Sequence, residues 1–394
     1  MDEYMYPGYT FERPVYLYVW ETLVVLCCVQ NILVLSVFMH RKMRNPTNNV
    51  LSAIAVSDCL TGLVTLPAYI MVYQEFDLFI ANNYEYGYGN QTTLQPPTHP
   101  PVDGYVLTKS LCRGFMFSKD VLSKSFHTIS IFLTLFLEIQ KYVSMAYPYK
   151  YETCFNRLKV VNIYCVLTYL MCPLLYVFHL VREKAEDGLC QWEIPVTECA
   201  KDCIYLWVAF VVRHFIPSVT LLTFTILFMY QLKKGEESFK RVDSNSSQYS
   251  RRVSENRRIC IVVTTVVAVR LVPEIPYCML LLYNSVDLTF NMGKGIDIET
   301  NRIIHMTFEL CLIITFLANF YIYIIVNKTF RKHLYHTIFL PLRTKLYHTL
   351  SHKRLPFSTL TNRKASAVKK TSVTPGEKIE FKTIQTEGLC KTIK

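Results

Sequence analysis

The sequence predicts an all-α membrane protein, a seven-transmembrane helix bundle closed by a short amphipathic eighth helix. Three observations carry that prediction. The chain of 394 residues is 51% hydrophobic and only 18% charged, which is more apolar than ordinary soluble domains. Its apolar residues gather in seven stretches, each at or above the roughly 20 residues that cross a bilayer as a helix. Its basic residues gather in alternate loops.

The stretches are Tyr16–Met39, Val50–Tyr73, Phe115–Ala146, Val160–Leu180, Ile204–Leu232, Ile259–Tyr283 and Ile303–Val326. Each is expected to be helical, because a backbone in lipid has to satisfy its own hydrogen bonds. The first carries Asn31 near its middle. The second buries Asp58 in LSAIAVSDCL. The third is the longest and projects beyond the membrane on both sides. It sets Asp120, Lys124 and His127 at i, i+4 and i+7 on one face and ends in Gln140-Lys141-Tyr142. The fifth holds Arg213 and Pro217. The sixth holds Arg270, Glu274 and Pro276 in TVVAVRLVPEIPY, and the seventh His305, Glu309 and NFYIY from Asn319 to Tyr323. After it, Lys328–Leu340 places Phe330, Leu334 and Ile338 at i, i+4 and i+8 between basic residues, the pattern of a helix lying on the inner leaflet. Residues 1–15 read as an extracellular N-terminus, 16–340 as the bundle with its eighth helix, and 341–394 as a disordered, Lys- and Ser/Thr-rich cytoplasmic tail.

The loop charges set the orientation. With the N-terminus outside, 29 Lys and Arg fall in the inner segments and 8 in the outer ones, which favours N-terminus out and C-terminus in. The net charge of +12 is then a positive field facing anionic lipid, not a nucleic-acid surface. The N-terminus lacks the basic and apolar regions of a signal peptide. Most of the 14 cysteines lie in apolar runs, where thiols behave as small hydrophobes. The outer loop Gln74–Gly114 contains the glycosylation acceptor Asn90-Gln91-Thr92. Similar triplets at Asn245 and Asn327 fall inside. The inner loop Lys233–Arg258 reads as polar and partly disordered. Ser254 after Arg251-Arg252 and Ser366 after Arg363-Lys364 fit a basophilic kinase, and phosphate there would weaken the attraction to lipid and offer an arrestin contact.

Charged residues in a membrane helix face the bundle interior or a wet cavity. Asp120, Lys124, His127, Arg213, Glu274, His305 and Glu309 are expected to line an outer cavity, although Asp120 and Lys124 could simply pair with each other. Charges of both signs suit a charged peptide, with Tyr84, Tyr86 and Tyr88 packing its apolar groups. The histidines come one per helix, without zinc-site spacing, and no catalytic or metal constellation appears, so no enzyme is expected. A retinal protein would need a lysine in the seventh span, and Ile303–Val326 contains none. A transporter would show repeats or broken helix pairs. The alternatives kept are a seven-helix transporter and an orphan receptor for a non-peptide ligand.

The landmarks together resemble the rhodopsin-like (class A) G-protein-coupled receptors: Asn31, Asp58, Gln140-Lys141-Tyr142 with Pro148 beyond, Pro217, and Asn319-Phe320-Tyr321-Ile322-Tyr323 followed by Asn327 and Phe330-Arg331. FHTISIFLTLFLEIQKY, Glu274-Ile275-Pro276 and Asn319-Phe320 look like invertebrate neuropeptide receptors of the sex-peptide/myoinhibitory-peptide and myosuppressin/FMRFamide-like branch. The resemblance implies a plasma-membrane receptor for a secreted, amidated neuropeptide that activates a heterotrimeric G protein, with arrestin as a further partner. It implies coupling through Gln140, Lys141 and Tyr142, where lysine keeps the charge of the family's arginine but loses its fork of donors. It implies a sodium ion held by Asp58, Ser130 and Asn319, and no other cofactor. It implies a Cys112–Cys190 disulfide, with Cys199 and Cys203 as competing partners. It implies a conformational switch through Arg270, Glu274, Pro276, Asn319 and Tyr323. Arg270 and Glu274 stand one turn apart, and neither can stay buried and ionised alone. They are expected to pair with each other, or Arg270 with Asp58 or Glu138.

Overall fold

In a computed structural model the described residues are 9–70, 73, 109–176, 183–186, 189–192, 199–241, 247–291, 295 and 298–339. Seven helices among them are long and apolar enough to cross a membrane: α1 Phe11–Phe38, α2 Pro46–Ile70, α3 Arg113–Ala146, α4 Leu158–Tyr176, α5 Leu206–Lys234, α6 Ile261–Phe290 and α7 Thr300–Val326. A short helix α8, Lys328–Leu334, follows. Seven crossings put the two ends of the bundle's chain on opposite faces. The end at which α1 begins is termed outer, following the loop charges.

All seven expected spans are helical over their described residues, but some of their ends differ. The helix of α1 begins at Tyr9, inside the segment expected to be an extracellular terminus. Helix continues past α5 to Arg241, and that of α6 runs from Ser247 to Asn291. Most of the inner loop expected to be partly disordered is therefore helical. Its Lys, Glu, Arg and Gln residues are good helix formers, and extending an existing helix avoids the cost of nucleation. In the fourth span regular helix stops at Met171 and gives way to a tighter turn at Cys172–Tyr176, because Pro173 has no backbone donor; residues 177–180, its expected end, lie outside the described residues. One feature was not foreseen. Strands β1, Glu183–Glu186, and β2, Leu189–Trp192, form an antiparallel hairpin with Ala185 opposite Cys190, packed beside the helical segment Lys109–Met116 that leads into α3.

Helix α3 is central, touching α2, α4, α5 and α6, while α7 closes the ring between α6 and α1. Helix α4 is peripheral, with Ile163, Val166, Leu170 and Leu174 exposed. The burial pattern is that of a chain dissolved in lipid: apolar side chains such as Val25, Val29, Ile226 and Ile314 face outward, and polar ones such as Asn31, Ser57, Asp58, Ser130, Thr134 and Asn319 face inward. Outward hydroxyls are satisfied within their own helix, as where Ser36 donates to the Ile32 carbonyl at 2.8 Å and Thr220 to that of Ile216 at 2.7 Å. Buried apolar residues form two clusters. The outer one contains Tyr16, Trp20, Val24, Tyr69, Tyr73, Phe115 and Phe316. The inner one contains Phe38, Val50, Ile54, Leu137, Val266, Tyr323 and Phe330. Gly62 allows α1, α2 and α7 to meet, since a methyl group there would lie 2.8 Å from Val24 Cγ2 and 3.3 Å from Ile313 Cδ1.

The side chain of Asn327 caps α8 by accepting from the amides of Thr329 and Phe330 at 3.1 and 3.0 Å. Phe330 and Leu334 are buried against the bundle while Arg331 and Lys332 stay exposed. Arg331 Nη1 donates to the Ile324 and Ile325 carbonyls at 2.9 Å, satisfying acceptors left open at the end of α7.

Candidate functional site

The residues expected to face a ligand divide into two groups. Lys124, His305 and Glu309 are half-buried near the outer end, whereas Asp120, His127, Arg213 and Glu274 are buried. Asp120 forms an ion pair with Lys124, as their spacing allowed. Glu274 Oε1 lies 2.7 Å from His127 Nε2 on α3, and its Oε2 lies 3.5 Å from His214 Nδ1 on α5. One carboxylate thus joins three helices. The ring of Tyr277 stacks on Phe308 at 3.7 Å between centroids, its hydroxyl is 3.4 Å from His305 Nδ1, and Glu309, Glu274 and Asp120 all lie within electrostatic reach of it. Arg213 has its guanidinium carbon 3.9 Å from the centre of the Tyr176 ring and donates to the Leu175 carbonyl. It faces the tighter turn that ends α4.

A second outer group was missed at the sequence level. Glu309 accepts from the hydroxyls of Tyr16 and Tyr69 at 3.0 and 3.2 Å. Lys119 Nζ lies 5.7 to 5.9 Å from the ring centres of Tyr16, Tyr69 and Phe115, within range of a cation–π attraction. Glu12 pairs with Arg302 and accepts from Tyr73 at 3.2 Å, tying α1 to α2 and α7. The signal available was the cluster of tyrosines at the outer ends of the first two spans. It has no fixed spacing, because its members come from different helices.

Below this layer the structure decides among the partners open to Arg270. It pairs with Asp58, one of the three expected, and not with Glu274. Its Nη2 donates to Asp58 Oδ2 at 2.5 Å and its Nη1 to Ser130 Oγ at 2.5 Å. Arginine four residues before glutamate is the weaker order for a helical ion pair, and Glu274 is already held by His127 and His214, which leaves Arg270 to the fully buried Asp58. Ser130 donates to Asp58 Oδ1 at 2.5 Å and Asn319 Nδ2 to Oδ2 at 3.1 Å. Asn31 stands apart and donates to the Cys27 carbonyl of its own helix at 3.0 Å. Tested against this arrangement, a sodium ion does not fit. It needs oxygen ligands, and both Asp58 oxygens already receive N–H or O–H donors. Glu138, the other carboxylate considered for Arg270, is fully buried beside Thr225 of α5, with neither oxygen completing a hydrogen bond there.

At the inner end, Gln140, Lys141 and Tyr142 all turn into the bundle. Gln140 Nε2 donates to the Phe155 carbonyl of the second inner loop at 3.0 Å. Lys141 Nζ donates to Thr47 Oγ1 on α2 at 2.7 Å. The ring of Tyr142 meets Phe224 of α5 edge-on, centroids 5.6 Å apart. Tyr323 is buried between Phe38 and Phe330, at 5.4 and 5.7 Å. Pro276 lies within the unbroken helix of α6, with Pro273 one turn before it.

Cys203, one of the competing partners, is disulfide-bonded. Cys112 and Cys190 lie on adjacent backbone elements, but their side chains are outside the described residues. So are Asn90, Ser366, Tyr84, Tyr86 and Tyr88, and so is the side chain of Ser254.

No family model matches the chain. It is 24% identical over 340 residues to the sex peptide receptor of Drosophila melanogaster, covering 82% of this chain and 72% of that protein. It is 20% identical over 354 residues to sex peptide receptor-related protein 2 of Caenorhabditis elegans, covering 84% and 73%. Along most of its length, therefore, the chain is similar to sex peptide receptors, and its seven apolar helices form the kind of bundle expected of the rhodopsin-like G-protein-coupled receptors that its motifs resemble.

Proposed function

We propose that the chain is a plasma-membrane receptor for a secreted peptide and that it passes the signal to a heterotrimeric G protein. The observation that carries this reading is the outer polar layer, where Asp120, Glu274 and Glu309 from three helices all lie within electrostatic reach of Tyr277. The similarity to sex peptide receptors supports the same reading. The half-buried Lys124, His305 and Glu309 form the part that a ligand meets first. A cationic or amide N–H group of the peptide donates hydrogen bonds to the Glu309 carboxylate in place of Tyr16 and Tyr69. Deeper entry disturbs Glu274 and with it the junction of α3, α5 and α6. Ligand binding then favours an arrangement in which Lys141 leaves Thr47 and the inner face opens. Phosphate on Ser254 and Ser366 would recruit arrestin to the same face. The N-terminus and the Asn90 loop lie outside, so glycosidase treatment should shift the mobility of the wild type but not of Asn90→Gln. A shift that persists in the variant rejects that acceptor.

The function is tested by presenting a library of amidated neuropeptides, with sex peptide included, to cells that carry the chain and a promiscuous G protein. At least one peptide should give a saturable response that is absent from mock cells. No response despite measured surface expression would favour a non-peptide ligand or a transporter.

A further inference from the structure

We infer that Arg270 is a built-in cation for the mid-membrane carboxylate, so that the polar centre of this bundle takes no mobile metal ion. Four residues from four helices make the argument. Asp58 on α2 is fully buried and Arg270 on α6 nearly so. The guanidinium spans Asp58 Oδ2 and Ser130 Oγ, at 2.5 Å to each. Ser130 on α3 uses its proton on Asp58 Oδ1 at 2.5 Å and its lone pair on Arg270, so its hydroxyl is committed in both directions. Asn319 on α7 adds an N–H to Oδ2 at 3.1 Å. Phe316 on α7 covers the guanidinium, its ring centre 5.4 Å from the carbon.

The donor set decides the chemistry. A hard monovalent cation needs several oxygens pointing at one centre. Of the side-chain oxygens of these four residues, only Asn319 Oδ1 is left without a partner, and one amide oxygen is not a coordination shell. A second positive charge beside Arg270 would also face repulsion in a region of low dielectric. The arginine therefore does two jobs that an ion cannot combine. It neutralises Asp58, and being covalently part of α6, it fixes that helix to α2 and α3. The strength of this tie follows the position of α6 and is independent of the ionic composition on either side. Glu274, one turn further out on α6, is held separately by His127 and His214, so Arg270 and Glu274 secure α6 at two levels.

The test needs no peptide, and its outcome is separate from that of the receptor reading. The full chain, purified in detergent, is melted in sodium chloride and in choline chloride of equal ionic strength. The wild type should melt at the same temperature in both, because stabilisation by a ligand requires binding to the native state. Arg270→Gln should melt lower than wild type in choline and be raised selectively by sodium, which can now reach Asp58. Asp58→Asn combined with Arg270→Gln should melt above Arg270→Gln alone in choline and ignore sodium. A sodium-specific rise in the wild type overturns the inference. So does an Arg270→Gln protein that melts like wild type in choline, or one that sodium leaves unchanged. If Arg270→Gln cannot be recovered folded, the double variant decides. Its recovery supports the pair, and its failure to fold counts against charge neutralisation as the role of Arg270.

Discussion

Lys141 shows what a single residue contributes to the resting arrangement. Its position at the inner end of α3 was legible from Tyr142 and Pro148, but its partner was not. Nζ reaches across to Thr47 at 2.7 Å, a contact 94 residues away in sequence, set by how α2 and α3 pack. A hydrogen bond from a charged donor contributes about 1.5–3 kcal/mol. Thr47→Val removes the acceptor and keeps the shape, so it should raise ligand-independent coupling several-fold at equal surface expression, read by G-protein dissociation. Basal coupling equal to wild type would mean that the contact does not restrain the inner face. Asp58 and Arg270 teach the same lesson. Both stood out as intramembrane charges, and Asp58 was one of three carboxylates left open to Arg270, beside Glu274 and Glu138. Spacing reports neighbours on one helix, so it could not decide among carboxylates on three different helices.

The elements were legible where apolar runs define them and less so where helices leave the membrane. Hydropathy stops at the bilayer, but the helices of α5 and α6 do not, and the hairpin of β1 and β2 has no apolar alternation strong enough to announce it. Helix α8 was foreseen from Phe330 and Leu334. Its contact with the first inner loop was not: the ring of His333 lies 5.4 Å from that of His40. Burial, and then the positive groups His40, Lys42, Lys332 and His336, hold the pKa of His333 below its ordinary value. A histidine whose pKa is depressed in the docked state stabilises docking above the free value near about 6.5 and loses that contribution as the pH falls through the lowered value. Amide hydrogen exchange, corrected for intrinsic rates, should show protection of residues 328–334 falling between about pH 7.5 and about pH 5.5 in the wild type. It should be nearly flat in His333→Gln. Equal pH dependence in both proteins would place the effect elsewhere.

At the scale of the whole molecule, lipid reverses the usual burial rule, and this is why so much of the architecture could be read from composition. Apolar side chains point outward, the few buried charges become informative, and seven crossings leave opposite faces for ligand and transducer. What the sequence could not supply is the order in which charges pair across helices, since that depends on the packing of α2, α3, α6 and α7 at the level of Asp58. The outer polar layer is the proposed entrance for a peptide, with the half-buried Glu309 as its accessible carboxylate. The most direct measurement is the concentration–response curve of G-protein activation for the peptide found active on this chain, recorded for wild type and Glu309→Gln at matched surface expression. A shift of about tenfold or more to higher concentration is expected, as for the loss of one charge-assisted hydrogen bond worth about 1.4 kcal/mol or more. Superimposable curves would contradict the assignment of that layer to the ligand.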